Sequence, residues 1–384
     1  MKFAQNFFGA FADGAILFPL LMTLSLQNGM SLFLLLVSSG LAYLVAGFVF
    51  RIPMSVQPLK SIAIAGLAVG ASALEIRTAA VLLGCVFVAG LTFDLDSLAK
   101  KVPTGLIHGV QTGLGLLLVT QGLRSVWPVG GSFGDGLGNS SVLLCLAISA
   151  VMIGLSFKTR APVLGLGATF GFLISVALHF EPFFEVQSSF LPLSTDIEKF
   201  RPFLVFSLVL PQIILTSANS VLATVNVSKR YFGDRASRVT VGRLVTMIGF
   251  GNILSGLLGG LPFCHGSGGI TAHYNGGARS HVSNYIIGSV LVLASFVVLH
   301  FGGTHIVFSP LLLGVLLLSV GALHVSLAAP SWNQGIDEKI QLSLMGLAAL
   351  ATGNMMWVLG AGLAWEFFRQ KKLFRKMTTE REAK

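Results

Sequence analysis

Arg51-Ile52-Pro53-Met54-Ser55-Val56-Gln57-Pro58-Leu59-Lys60-Ser61 is the stretch on which the reading of this chain turns. It lies among long apolar segments, yet it carries two prolines, a glutamine and a lysine. It also has a counterpart. An offset of 209 positions places Gly40, Gly47 and Pro53 on Gly249, Gly256 and Pro262, and Met54-Ser55-Val56-Gln57-Pro58 on Phe263-Cys264-His265-Gly266-Ser267. Two polar, proline-marked interruptions at corresponding places in two halves point to the binding site of a transporter.

Composition sets the frame. The 384 residues are 54% hydrophobic and 10% charged, with a mean hydropathy of +0.83. Soluble domains carry about 25% charged residues. Apolar runs near twenty residues recur along the chain, so the class is an all-α polytopic membrane protein. The alternating segments of about ten residues expected of a β-barrel do not occur. Asp13 interrupts the first apolar run, and no charged leader or small-residue cleavage site precedes it, so a retained helix is expected there. Cys85, Cys145 and Cys264 are scattered without metal-ligand spacing. No P-loop and no nucleophile–base pair occurs, so neither an enzyme nor a cofactor is expected. The net charge of +10 does not point to nucleic acid: seven of the 25 basic residues fall between Arg369 and Lys384 and five between Lys229 and Arg243. That is how cytoplasmic loops collect lysine and arginine.

The apolar runs divide into about fourteen transmembrane segments, seven plus seven. Residues 1–181 form the first repeat and 202–368 the second, with a polar link from Glu181 to Arg201 and a basic tail at 369–384. The first helix is expected over Asn6 to Leu26 and the eighth over Pro202 to Val227. Each interruption leads into a half-helix, one from about Pro58 to Ala71 and one from about Ser267 to Tyr274. Pro58 suits a first helical turn, where its missing N–H lacks a partner anyway. With both termini in the cytoplasm, twenty basic residues fall inside and four outside. An odd number of helices per half gives the repeats opposite orientations, which makes the repeat inverted.

The candidate site follows from this plan. A lysine at mid-bilayer costs about 2.5–3.5 kcal/mol, so Lys60 is expected to face a ligand in a watery cavity or to pair with Asp13 or Glu75. Both interruptions lead into helix N-termini, whose free N–H groups and dipole favour an anion. Inverted symmetry points the two ends at each other. Gly266, Gly268 and Gly269 allow close backbone approach to a ligand, or merely tight helix packing. Ser55, Gln57 and Ser267 offer hydrogen bonds, and Cys264 draws interest from its neighbours. His265 at the second interruption binds the ligand, carries a proton, or is structural. Asp13 is a proton site, a counter-ion of Lys60, or structural; at an offset of 206, Asn219 falls opposite it. His108, His300, His305 and His324 are assigned to structure.

These residues resemble a known family, the molybdate transporters related to the SulP sulfate permeases. Gly9-Ala10-Phe11-Ala12-Asp13-Gly14 with Phe18-Pro19 is similar to its first-helix motif, with Ala12 where a glycine is usual. Pro53 to Ala63 resembles its proline-valine-glutamine-proline-x-lysine motif, and Gly109-Val110-Gln111-Thr112-Gly113-Leu114-Gly115 its fifth-helix motif. Pro262 to Gly269, continuing to Gly277-Ala278-Arg279, is close to its second-half signature. The resemblance implies a core domain (1–101 plus 202–301) moving against a gate domain (102–181 plus 302–368). It also implies uptake of molybdate, with sulfate and tungstate as further candidates, across the inner membrane and in a homodimer.

The resulting expectation is a secondary active transporter of a tetrahedral oxyanion. The substrate lies near Ser55, Gln57, Lys60, Cys264, His265, Gly266, Ser267 and Gly268, with Asp13 or His265 coupling it to protons. A nucleobase or organic-anion permease of the same fold, a passive anion channel and a membrane protein without transport are the alternatives.

Overall fold

A bilayer core offers no partner for a backbone N–H or C=O, so the apolar runs must close their hydrogen bonds within themselves. They do so in the computed structural model, which describes residues 2–92, 102–126, 138–159, 165, 167, 168, 199–300 and 310–382. Among these residues, seven helices are long and apolar enough to cross a membrane.

The first half begins with α1 (Lys2–Ala10) and α2 (Gly14–Asn28), then α3 (Leu32–Phe50). The expected single first helix is therefore two pieces, broken at Phe11–Asp13. Asp13 stands at the N-cap of α2 without capping it, because its carboxylate is engaged elsewhere. After α3 the chain turns at Arg51, a non-glycine residue with a φ of 55°, and enters the extended pair β1 (Gln57–Pro58). The half-helix α4 follows, a π-helical turn over Ser61–Ala65 running into Gly66–Ala68. It starts later than Pro58 because Pro58 is held in strand pairing. Next come α5 (Ala73–Ala89), α6 (Thr104–Val126) and α7 (Gly138–Thr159).

In the second half, α8 (Pro202–Leu215) widens into a π segment over Thr216–Leu222 and continues as α9 (Ala223–Phe232). This helix outruns the expected end at Val227. Then come α10 (Val241–Leu258), β2 (Phe263–Cys264), the half-helix α11 (Ser267–Asn275), α12 (Val282–His300) and α13 (Pro310–Ser326). A short turn α14 (Ala329–Trp332) precedes the last pair, α15 (Ile336–Thr352) and α16 (Met355–Glu382). The last two expected segments are thus separate helices joined at Gly353, and the basic tail continues α16. Most of the expected seventh helix, most of the 181–201 link and His305 lie outside the described residues.

Helices from the two halves pack in crossed pairs: α3 with α12, α5 with α10, and α6 with α13. Small residues let these backbones touch. A Cβ on Gly40 would lie 2.7 Å from the Gly288 oxygen, and one on Gly115 would lie 2.7 Å from the Gly321 oxygen. These pairs carry the core and leave the two interruptions enclosed between them.

Candidate functional site

The interruptions cross. β1 and β2 run antiparallel, with Gln57 opposite Cys264 and Pro58 opposite Phe263, and Leu59 N–H donates to the Pro262 oxygen at 2.9 Å. Extended backbone at membrane depth needs partners for every N–H and C=O, and here asparagines supply many of them. Met54 donates to Asn284 Oδ1 at 2.9 Å and accepts from its Nδ2 at 2.7 Å. Phe263 donates to Asn252 Oδ1 at 2.9 Å and accepts from its Nδ2 at 2.7 Å.

Beneath the crossing lies a buried polar layer. Ser55 Oγ donates to the Gly266 oxygen at 2.8 Å, and Gln57 Nε2 donates to Asp13 Oδ1. His265 Nδ1 lies 2.7 Å from the Ser55 oxygen; a carbonyl only accepts, so Nδ1 donates. The His265 ring packs edge-on against Phe50 and Phe263, and Thr224 Oγ1 donates to its carbonyl at 2.7 Å. Ser55, Gln57, Asp13 and His265 thus tie the two interruptions to each other and to the break in the first helix.

Beside that layer is a narrow cavity between the crossing, α6, α8 with its π segment, and α13. Lys60 and Cys264 line it from the interruptions, Gln212, Asn219 and Ser220 from the long helix, and Gln111 and His324 from α6 and α13. Leu114 and Leu215 close it. The walls stand close, with room for about one water-sized body. Among the described residues the lining holds one lysine and no carboxylate. Neither acid expected as a partner for Lys60 forms an ion pair with it among the described residues. Glu75 caps α5 with Ser72 and pairs with Arg201 at 2.8 Å; Asp13 is held by Gln57.

The half-helix ends differ. At α4, the Ser61 N–H donates to Gln212 Oε1 at 2.7 Å, so a side chain takes up the leading donor. At α11, Gly268 is exposed, and a Cβ built on it meets nothing within 4 Å. Ser267 Oγ donates to Asn219 Oδ1 at 2.7 Å, which fixes the amide so that its NH₂ group is left for other partners.

Of the expected site residues, Lys60 and Cys264 reach the cavity, and Ser267 touches it through Asn219. Gly268 lies at an open helix end, whereas Ser55, Gln57, His265 and Gly266 form the support beneath. Gln111, Gln212, Ser220 and His324 were not anticipated as lining. Their signal is only partly present in the sequence, since a histidine within an apolar helix marks a pathway whereas an isolated glutamine or serine carries no such mark.

Comparison with known proteins agrees with this geometry. A family described as molybdate transporter of the MFS superfamily matches residues 5–118 and 205–324. Molybdate transporter 2 of Arabidopsis thaliana is 27% identical over 395 residues, covering 87% of this chain and 80% of its own. Molybdate transporter 1 of the same plant is 24% identical over 399 residues, covering 92% and 85%. Among solved structures, the transmembrane domain of a cyanobacterial bicarbonate transporter, BicA, superposes with a TM-score of 0.65 at 18% identity, covering 94% of this chain and 98% of that one. The murine solute carrier 26 family member A9 anion transporter in its inward-facing state gives 0.67 at 14% identity, covering 96% and 68%. These likenesses establish the fold shared with SulP-type transporters.

Proposed function

This chain belongs to the molybdate transporter family, and from that premise we propose that it is a secondary active transporter of a tetrahedral oxyanion, with molybdate first and sulfate and tungstate as competitors. One observation carries the reading: two interruptions from opposite halves cross beside a cavity lined by one lysine, neutral donors and no carboxylate. The dianion sits against Lys60 Nζ, with the Asn219 amide, Ser220 and Cys264 around it and the open Ser267–Gly268 end of α11 facing it. Ser55, Gln57, His265 and Gly266 hold the crossing in register. The walls are close in this conformation, so binding requires the cavity to widen.

Alternating access follows as a movement of the core (1–101 plus 202–301) against the gate (102–181 plus 302–368). The pairing of α3 with α12 and of α5 with α10 supports an inverted repeat of seven plus seven segments, because a two-fold exchange of halves converts one pair into the other. The distribution of lysine and arginine supports cytoplasmic termini, and a homodimer in the inner membrane is proposed by likeness alone. A dianion entering against an inside-negative potential opposes about 2.3 kcal/mol per charge per 100 mV. Coupling to protons offsets that cost, and Asp13 and His265, beside the crossing and outside the cavity lining, are candidate carriers for steps of the cycle other than anion binding.

The alternative of a nucleobase permease requires an acid to bond a base edge. Asn219 lines the cavity and, among the described residues, no carboxylate does, which favours the oxyanion. The test is molybdate uptake into proteoliposomes, with sulfate, tungstate and uracil as competitors, with and without an inward proton gradient. Gradient-dependent accumulation blocked by tungstate and not by uracil is expected. Uracil transport without molybdate uptake would overturn the substrate, and uptake that stops at electrochemical equilibrium would make the protein a channel.

A further inference from the structure

His324 lies on α13, whose residues are otherwise almost all apolar. It is 4% exposed, and its Nδ1 lies 3.0 Å from the Val320 carbonyl oxygen. That carbonyl can only accept, so Nδ1 carries a hydrogen, and in the neutral ring Nε2 holds the lone pair. Nε2 has no partner among the described residues. His265 and His273 have the same arrangement, with Nδ1 on the Ser55 and Gly9 carbonyls and Nε2 unpartnered. Those two rings pack against aromatic side chains away from the cavity. Of the three, His324 alone lines it, together with Lys60 and Cys264.

Charge decides what this histidine does. A dianion against Lys60 leaves one negative charge uncompensated, and a lone charge at membrane depth is costly. Among the described residues no second fixed cation lines the cavity, and a neutral His324 presents a lone pair that repels an oxyanion. A proton on Nε2 reverses both effects by supplying a donor and a second positive charge, so that lysine, histidine and dianion sum to zero.

We propose that His324 takes up one proton as the dianion binds and donates Nε2–H to it, so that proton and anion meet in one cavity. This rests on the oxyanion reading above. The other titratable groups around His324 are accounted for. Lys60 and Cys264 share the cavity. On α6, His108 is bonded to Ser331 at 2.6 Å and Arg124 lies in the last turn. On α7, Cys145 faces Gly314 and Lys158 lies in the last turn. The α2 helix carries no titratable side chain, with Asp13 at its N-cap.

The test uses two tetrahedral anions of similar size and different charge, tungstate (2−) and perrhenate (1−), titrated calorimetrically into purified protein in buffers of different ionisation enthalpy. Wild type is expected to take up about one proton per tungstate and none per perrhenate. Its tungstate affinity falls about tenfold per pH unit where free His324 is neutral, because binding then consumes a proton. His324→Gln should bind tungstate without proton uptake and with an affinity independent of pH. Proton uptake undiminished in His324→Gln, or equal for both anions in wild type, would overturn the proposal. The wild-type comparison is decisive even where the variant does not fold. Tungstate binding unaffected by Lys60→Ala would overturn the oxyanion site itself, a separate outcome from proton uptake that survives at position 324.

Discussion

The two interruptions share a plan and differ in what they contribute. Met54 and Phe263 correspond at the 209 offset, and each is gripped through its N–H and C=O by one asparagine with the same pair of distances. Asn284 reaches Met54 from the opposite half, whereas Asn252 reaches Phe263 from the helix that leads into its own interruption. One clamp ties the halves together and the other shapes a local turn. Downstream the two diverge further. Lys60 corresponds to Gly269, so one half brings a long cation and the other brings no side chain at all. Packing explains the glycine: a Cβ there would strike Ser55 Cβ and lie 2.5 Å from Asp13 Oδ2. One interruption supplies charge, and the other gives up bulk so that the first can fold against it.

The largest break in this comparison is at the charged partner. Lys60→Ala should lower molybdate uptake at least about a hundredfold, since removing one partner of a desolvated charge pair costs about 3 kcal/mol or more, while the protein stays folded. Undiminished uptake would remove Lys60 from the site. At the matching position, Gly269→Ala should overpack the crossing, lowering stability by about 1–3 kcal/mol in a detergent melt and abolishing uptake along with it. An unchanged melting temperature would mean that the two interruptions can move apart freely.

Legibility followed the physics of each feature. The membrane class came from composition, and the pair of interruptions came from prolines at a fixed offset, whereas their crossing as paired strands had no signal along the chain. The first two are encoded in residue types along the chain. The break at Phe11–Asp13 was not legible, because it depends on Gln57, 44 residues away, drawing the Asp13 carboxylate off its helix. The π segments at Ser61–Ala65 and Thr216–Leu222 left no periodic signature either. The choice among histidines came out differently in three dimensions. His265 stands beside a glycine cluster in the sequence, and in the fold its Nδ1 bonds the Ser55 carbonyl at the crossing. His324 looked like a lone polar residue in an apolar helix and reaches the cavity, because α13 packs against α6 and brings it there.

Finer effects sharpen the comparison of the clamps. Asn284→Ala and Asn252→Ala each strand two buried backbone groups, at about 1–3 kcal/mol for each group. Matched geometry predicts similar losses of melting temperature, with uptake falling further for Asn284→Ala because, of the two clamps, only Asn284 bridges the halves. Equal loss of uptake would make the cross-half tie irrelevant to transport. The smallest effect is expected at Gly268→Ala, whose added methyl enters open space. Stability should change by less than about 0.5 kcal/mol, and molybdate affinity should fall severalfold as the methyl crowds the open helix end. An affinity equal to wild type would take that end out of the binding surface.

The central claim is a location, so the most direct measurement is a crystal of the protein grown with tungstate and recorded at a tungsten absorption edge. The account predicts one strong anomalous peak within hydrogen-bonding reach of Lys60 Nζ, beside Cys264 and the N-terminal end of α11. A sole peak elsewhere, with the cavity beside the crossing carrying none, would contradict it.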